Sequence, residues 1–256
     1  MANRQGRVIG TNLAGGNALF KGAVGAFAVK TFDAALAGAG LSIESARKAG
    51  YDAVSVQAAQ LDRAHFYPKK SMLHLELVVD RKSRRILGVQ GFGKDGDAVV
   101  GRINAVAAIL EDHPTIDRLS NMELAYSPPF SSAMDALNAL ANAAENVLDG
   151  RFQPIDAEGF AQKWSQGNGD LMILDCRARQ DGETFAEKYP ERWINIPQDE
   201  LRQRFGEVPR DKDLILLCNT GVRSYEAQLN LRELGVENPV SVQGGIVTLK
   251  ECGLDL

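Results

Sequence analysis

The spacing of hydrophobic residues changes near residue 150 of this 256-residue chain. Before that point, Met72–Asp80 alternates apolar and polar side chains, which predicts a strand with one buried face, and a short turn leads to another strand at Arg85–Gly91. After it, Leu214–Cys218 is an unbroken apolar run, which is typical of a strand buried on both faces of a parallel sheet. We therefore predict an α+β first part with an antiparallel sheet and helices, followed by an α/β second part with a central parallel sheet.

The remaining elements follow from the same periodicities and from capping and breaking residues. In the first part we predict strands at Ala23–Phe32, Ala34–Ala39 and Asp52–Ala58, and helices at 3–14, Ile43–Ala49, Ala98–Glu111 and Ser132–Leu148. In the second part we predict strands at Leu171–Asp175, Trp193–Ile196 and Val240–Val242, and helices at Ala157–Ser165, Thr184–Lys188, Asp199–Phe205 and Ser224–Leu234. Asp149-Gly150 and Pro154 indicate a linker, so the predicted domains are residues 1–149 and 150–256. The first two strands are rich in Gly and Ala, which predicts that another surface packs closely on them.

The composition is that of a globular protein, with 45% hydrophobic and 24% charged residues. No apolar run approaches the roughly 20 residues that a membrane span needs, and the N-terminus lacks the apolar core of a signal peptide. The net charge is −4, and neither part has the basic face of a nucleic-acid binder. We therefore expect a cytoplasmic protein without a membrane or nucleic-acid partner.

The chain has an odd number of cysteines and no CxxC motif. The three are Cys176, Cys218 and Cys252. This pattern argues against a disulfide framework and against a zinc site, so we expect no metal. The three histidines, all in the first part, are interpreted as structural or surface residues; they are His65, His74 and His113.

One cysteine lies in a setting that favours nucleophilic chemistry. The segment LILLC-NTGVR-S places Cys218 at the end of a buried strand and before a helix, where α/β sheets bind their ligands. The amide groups of the loop and the positive end of the helix both favour a thiolate. Gly221 allows backbone angles closed to other residues, and Arg223 adds a positive charge. The alternative is an inert cysteine buried at a strand end.

The second part resembles a single rhodanese domain. The resemblance is carried by Leu174–Arg177, Ile194–Pro197, the loop Cys218–Arg223 and Val242–Gly245, in matching order and spacing. It implies that Cys218 accepts sulfur as a persulfide and that Arg223 assists. The residues that the resemblance assigns to the persulfide cradle are Asn219, Thr220, Gly221, Val222, Ser224, Asp175 and Arg177.

Details of this segment narrow the expected chemistry. The related phosphatases have one more residue between cysteine and arginine, so the shorter loop favours sulfur over a phosphate oxyanion. Many thiosulfate-using members have Arg where this chain has Asn219, so we expect a persulfide or polysulfide donor. The segment EKYPERW replaces the usual GHIPGA, and the Trp that commonly follows the double Gly is absent. We expect Cys176 to be a core residue, and Cys252 remains open as a resolving thiol.

The first part resembles the dimerisation domain of flavin-dependent pyridine-nucleotide disulfide reductases, above all coenzyme A-disulfide reductases, NADH oxidases and persulfide reductases. The motifs that carry this resemblance are Ala2–Arg7, Gly15–Asn17, His65–Pro68 and Glu123–Ala133. It implies FAD, NAD(P)H and coenzyme A for the parent family, and it makes residues 1–15 the last helix of a flavin domain. About 300 preceding residues of that family would bind FAD and NAD(P)H. We therefore expect no cofactor to be bound by this chain alone and a flavin reductase domain in cis or in trans.

The same resemblance suggests that Tyr67 and Tyr126 line a coenzyme A or substrate channel. The alternative is that both are interface or core aromatics. The Gly/Ala-rich strands and the apolar hairpin face of residues 72–91 are expected to form a symmetric homodimer surface. Two functions remain open: a rhodanese-type sulfurtransferase that serves small sulfur donors and thiol acceptors, and a non-catalytic module that dimerises and only binds or delivers sulfur.

Overall fold

The computed structural model describes residues 1–167 and 169–256 and contains two five-stranded sheets. The first is antiparallel, with strand order β1-β2-β5-β4-β3, and the second is parallel, with order β6-β10-β9-β7-β8. The strands of the first sheet are β1 Phe27–Thr31, β2 Ala34–Gly40, β3 Ala53–Leu61, β4 Met72–Asp80 and β5 Ile86–Gly93. Those of the second are β6 Pro154–Ile155, β7 Leu171–Asp175, β8 Trp193–Asn195, β9 Asp213–Leu217 and β10 Val240–Val242. The predicted fold class is confirmed for both parts.

The helices lie around these sheets. They are α1 Ala2–Leu13, α2 Ile43–Lys48, α3 Gly96–Leu110, α4 Ile116–Ser120, α5 Ala136–Leu148, α6 Ala157–Gln166, α7 Arg179–Lys188, α8 Val222–Glu233 and α9 Gly245–Glu251, with a short 3₁₀ helix at Phe205–Glu207. None of the helices in the described parts of the chain is long and apolar enough to cross a bilayer.

The first sheet buries one face against α3 and α5. The alternating residues Leu73, Leu75 and Leu77 of β4 all point into this core, as their spacing predicts. Small residues of β2, including Ala37 and Ala39, belong to the same core and let α3 approach closely. The surface expected to pack on the Gly/Ala-rich strands is therefore, for β2, a helix of this chain.

The second sheet has a core on each face. Leu214 and Leu216 of β9 belong to one cluster, and Ile215 and Leu217 belong to the other. Because both faces are covered, every residue of Leu214–Leu217 is buried, which explains why the run is uninterrupted in sequence.

Several local predictions were wrong; for example, β1 begins at Phe27 and not at Ala23, and α7 begins at Arg179 and not at Thr184. Residues 199–205 do not form an α-helix: three of their four hydrogen-bonded backbone amides bond to the carbonyl three residues back, as in Gln203 to Glu200, and form successive turns. Helix α5 begins at Ala136 and not at Ser132, since Asp135 accepts a capping bond from the Leu137 amide. Helix α9 was not predicted, because the double glycine before it resembles a loop.

The two parts contact each other along β3, the edge strand of the first sheet. Its Gln57 amide donates to the Gln243 side chain at 2.7 Å. Nearby, His74 Nδ1 lies 3.4 Å from the Thr248 hydroxyl. Burial lowers the pKa of His74 below its ordinary 6.5, and the negative charge of Glu251, which raises this pKa, has a smaller effect. Its buried Nε2 has no partner among the residues described.

Candidate active site

Cys218 directly follows β9, at the carboxyl end of the parallel sheet. Its side chain is only 1% exposed. The neighbouring strand β7 ends at the same edge of the sheet, and just after it the Cys176 backbone amide donates to the Leu217 carbonyl at 2.7 Å. The sulfur therefore sits where a buried strand turns into helix α8, as the sequence pattern predicts.

Two donors face the Cys218 sulfur, one from the loop and one from the first turn of α8. The Gly221 amide lies 3.2 Å from Sγ, and the Ser224 hydroxyl lies 3.4 Å from it. Gly221 has a φ of +99° immediately before α8, a conformation that a residue with a Cβ adopts only with strain. The first turn of α8 also presents the positive end of its dipole to the site. The arrangement suits a sulfur atom that carries negative charge.

The carbonyl groups of the loop point the other way, towards the start of α9. The Cys218 carbonyl accepts from the Ile246 amide at 2.9 Å, and the Asn219 carbonyl accepts from Val247 at 3.2 Å. Gly245 permits this contact, because a Cβ there would lie 2.4 Å from the Cys218 carbonyl oxygen. The double glycine thus fixes the back of the loop, which leaves the amide side for the sulfur.

The structure brings together seven of the residues predicted for the site, Cys218–Ser224. Asn219, Thr220 and Arg223 are half-buried, Ser224 is buried, and Val222 is 63% exposed on the outside of the loop. Their roles in binding a persulfide stay predictions.

Asp175 and Arg177, which are also predicted for the cradle, pair with each other, and their role in binding a persulfide stays a prediction. They form a buried ion pair, with Arg177 Nη2 2.6 Å from Asp175 Oδ2 and Nε 2.9 Å from Oδ1. Trp193 Nε1 donates to the same carboxylate at 3.2 Å, and the guanidinium lies over the Phe185 ring. In the described structure these charges are directed at each other, and neither hydrogen-bonds to the Cys218 sulfur.

The other two cysteines differ from Cys218 and from each other. Cys176 is a core residue, as predicted, and burial raises the pKa of its thiol well above the ordinary range. The negative charge of Asp175 acts on the Cys176 pKa in the same direction. Cys252 is exposed just after α9. Within residues 1–167 and 169–256, no group of three His, Cys, Asp or Glu side chains is arranged to hold a metal ion.

Tyr67 and Tyr126 lie on two segments that touch. The Ala64 amide donates to the Pro128 carbonyl at 3.2 Å and joins these segments. Tyr67 is half-buried and Tyr126 is exposed. Their proposed contact with coenzyme A stays a prediction.

A cavity of about 210 Å³ between the two parts borders the active loop. One wall is Thr220–Val222, and the opposite walls are small residues of β3 and α5, including Ala58, Ala139 and Ala143. This side of the loop therefore faces the first domain across the cavity.

Ser241 and Gln243 were not predicted as part of the site. The Ser241 hydroxyl donates to Ser224 Oγ at 2.9 Å, and Gln243 precedes the double glycine that contacts the loop. The available signal was weak: a serine in a short buried strand next to Gly244-Gly245.

Comparison with known protein families matches both parts of the chain. Residues 26–137 match the pyridine nucleotide-disulphide oxidoreductase dimerisation domain, and residues 157–252 match the rhodanese-like domain. Among curated relatives, a CoA-dependent NAD(P)H sulfur oxidoreductase of Pyrococcus abyssi is 36% identical over 139 residues, which are 54% of this chain and 30% of that protein. A coenzyme A disulfide reductase of Staphylococcus haemolyticus is 33% identical over 147 residues, which are 57% of this chain and 32% of the relative.

Two solved structures resemble nearly the whole chain. An NAD-dependent persulfide reductase from A. fulgidus has a TM-score of 0.84 and 38% identity, and the match covers 96% of this chain and 42% of that one. The Bacillus anthracis CoADR-RHD structure has a TM-score of 0.80 and 31% identity, with 97% and 43% covered. The chain spans about a third of the length of the two curated relatives and under half of these structures.

Proposed function

We propose that this chain, which joins a reductase dimerisation domain to a rhodanese-like domain, carries sulfur as a persulfide on Cys218 and passes it to a thiol. One observation carries the proposal: the buried Cys218 sulfur faces the Gly221 amide and the Ser224 hydroxyl at the start of a helix. Donors held in this way stabilise a sulfur anion without reorganisation during the reaction.

The proposed transfer has two steps and no net oxidation. The Cys218 thiolate attacks the outer sulfur of a persulfide donor, so that a new S–S bond forms, the donor S–S bond breaks, and the donor leaves as a thiolate. An acceptor thiolate then attacks the outer sulfur on Cys218, takes it as a new persulfide and releases the Cys218 thiolate. In both steps the loop stabilises the negative charge on sulfur.

The loop favours a persulfide or polysulfide donor over thiosulfate. Arg223 is the one cationic residue of the six-residue loop, because Asn219 takes the position after the cysteine. A dianion entering the loop would meet less compensating charge than a persulfide, which carries at most one negative charge. The cavity between Thr220–Val222 and the first domain is the proposed place of approach for the acceptor.

Coupling to a reductase is proposed for the protein as it acts in its family. The similar proteins include a persulfide reductase and coenzyme A disulfide reductases, so we propose NAD(P)H- and FAD-dependent reduction of persulfide, polysulfide or coenzyme A disulfide, in a homodimer. Helix α1, which would lie against the flavin in the larger protein, has no buried residue in this chain. None of the steps above uses the flavin.

Sulfur transfer by Cys218→Ser tests the proposal, with Cys252→Ser as the matched control. Each variant is incubated with glutathione persulfide, and sulfur is then measured as thiocyanate after addition of cyanide and as a mass increase of the intact protein. We expect Cys218→Ser to lose both signals and Cys252→Ser to keep them. Full transfer by Cys218→Ser would refute the proposal. Uptake of one sulfur that is never passed to cyanide or to a thiol would instead favour the non-catalytic delivery module.

A further inference from the structure

Two buried hydroxyl groups lie in series behind the Cys218 sulfur. The Ser241 hydroxyl donates to Ser224 Oγ at 2.9 Å, and Ser224 Oγ is 3.4 Å from the sulfur and 3.1 Å from the Gly221 carbonyl oxygen. Both serines are 0% exposed. Since water does not reach them, their protons must be shared within this small set of atoms.

The hydroxyl protons of Ser241 and Ser224 have few possible acceptors. Within residues 1–167 and 169–256, Ser224 Oγ is the one hydrogen-bond partner of the Ser241 hydroxyl. When Ser241 donates to it, Ser224 cannot donate back, because each hydroxyl has one proton. The Ser224 proton is then left for the Cys218 sulfur or the Gly221 carbonyl. A negatively charged sulfur is the stronger acceptor, since charge-assisted hydrogen bonds are roughly twice as strong as neutral ones.

The backbone holds Ser241 firmly in this position. Ser241 lies on β10, which pairs with β6 on one side and β9 on the other. Its amide donates to the Gln153 carbonyl at 3.0 Å, and it is registered opposite Leu216, two residues before the nucleophile. Because β10 is held between two strands, the Ser241 hydroxyl is fixed beside the Ser224 hydroxyl of helix α8.

We propose that Ser241 is a positioning residue for sulfur transfer, which acts through Ser224 to direct a proton at the Cys218 sulfur when it is a thiolate or a persulfide anion. This inference rests on the proposed function. Ser241 does not touch the sulfur, so its effect must vanish when the Ser224 hydroxyl is removed. A residue that only fills space would not show this dependence.

The test is the pH dependence of Cys218 alkylation in a Cys252→Ser background, so that the exposed thiol does not consume reagent. Five proteins are compared: the background, Ser241→Ala, Ser224→Ala, the double variant of these two, and Ser165→Ala as a control at an exposed serine of the same domain. We expect Ser241→Ala to raise the midpoint of the iodoacetamide rate profile by roughly half a pH unit, the scale of part of one hydrogen bond to a charged atom. In the Ser224→Ala background, Ser241→Ala is expected to cause no further change.

Two results would overturn the inference. One is a Ser241→Ala profile that coincides with the background, and the other is an equal shift with and without Ser224, which would show that Ser241 acts by packing. Ser241→Thr keeps the hydroxyl, and thermal unfolding of each variant identifies any loss of folding. Alkylation requires no sulfur transfer, so failure here is distinct from failure of the Cys218→Ser test of function.

Discussion

The buried ion pair of Asp175 and Arg177 provides a test of whether these residues stabilise the fold or hold the substrate. The Asp175 side chain is fully buried, and the Arg177 side chain is 5% exposed. Replacing Arg177 by Met leaves a buried carboxylate whose remaining partners are the Trp193 indole and the backbone amide of residue 177. Removal of one partner from a buried pair typically costs about 3–5 kcal/mol. We expect Arg177→Met to lower the free energy of unfolding of the second domain by about that amount.

The double variant Asp175→Leu/Arg177→Met removes both charges and leaves apolar side chains of similar size. Such replacements are often close to neutral, so we expect it to recover most of the lost stability, with a coupling free energy of about 3 kcal/mol. Urea unfolding followed by tryptophan fluorescence measures this for the second domain alone, because both tryptophans, Trp164 and Trp193, lie in it.

Sulfur transfer by the same double variant decides between the two roles. If the pair only holds the turn after β7, a stable double variant keeps its transfer rate to within about threefold, since no contact to the sulfur is lost. A double variant that folds normally but transfers no sulfur would refute this reasoning and support the predicted place of Asp175 and Arg177 in the cradle. Equal losses of stability in the single and double variants would refute the ion-pair argument itself.

Three further predictions concern the glycine, cysteine and histidine positions. Gly245→Ala should reduce sulfur transfer in the cyanide assay by at least about tenfold, because its Cβ would collide with the active loop. The control Gly253→Ala is also at positive φ but lies in open space, so it should change the rate by less than about twofold. When native protein is treated with iodoacetamide near pH 8, peptide mass spectrometry should find label on Cys252 but none on Cys176 until denaturant is added. Labelling of Cys176 before denaturation would contradict its burial. Because the pKa of His74 is lowered in the folded protein, its contribution to stability is fully present above about pH 6.5 and is lost as the pH falls through the folded-state pKa. The unfolding free energy measured between about pH 7.5 and 5 should therefore fall less in His74→Gln than in the unchanged protein. Parallel profiles of the two proteins would contradict this.

The elements with strong local signals were predicted correctly from sequence. The alternation in β4 requires one buried face, and the unbroken run in β9 requires two, so each pattern indicates its sheet type before any neighbour is known. The errors fall where local signals conflict with tertiary contacts. Residues 199–205 have helical periodicity but form turns, and the double glycine before α9 opens a helix because its unusual backbone angles fit it against the active loop.

The sequence by itself determined the candidate nucleophile and its local setting. A cysteine after a buried strand, a six-residue loop with glycine and arginine, and a helix are contiguous, so their geometry follows from local backbone preferences. Only the tertiary structure decided what surrounds the loop. Ser241 reaches Ser224 because β10 pairs beside β9, Asp175 turns to Arg177, and Gln57 reaches Gln243 across the two domains. These contacts depend on strand order and domain packing, which bring together residues whose separation in sequence carries no local signal.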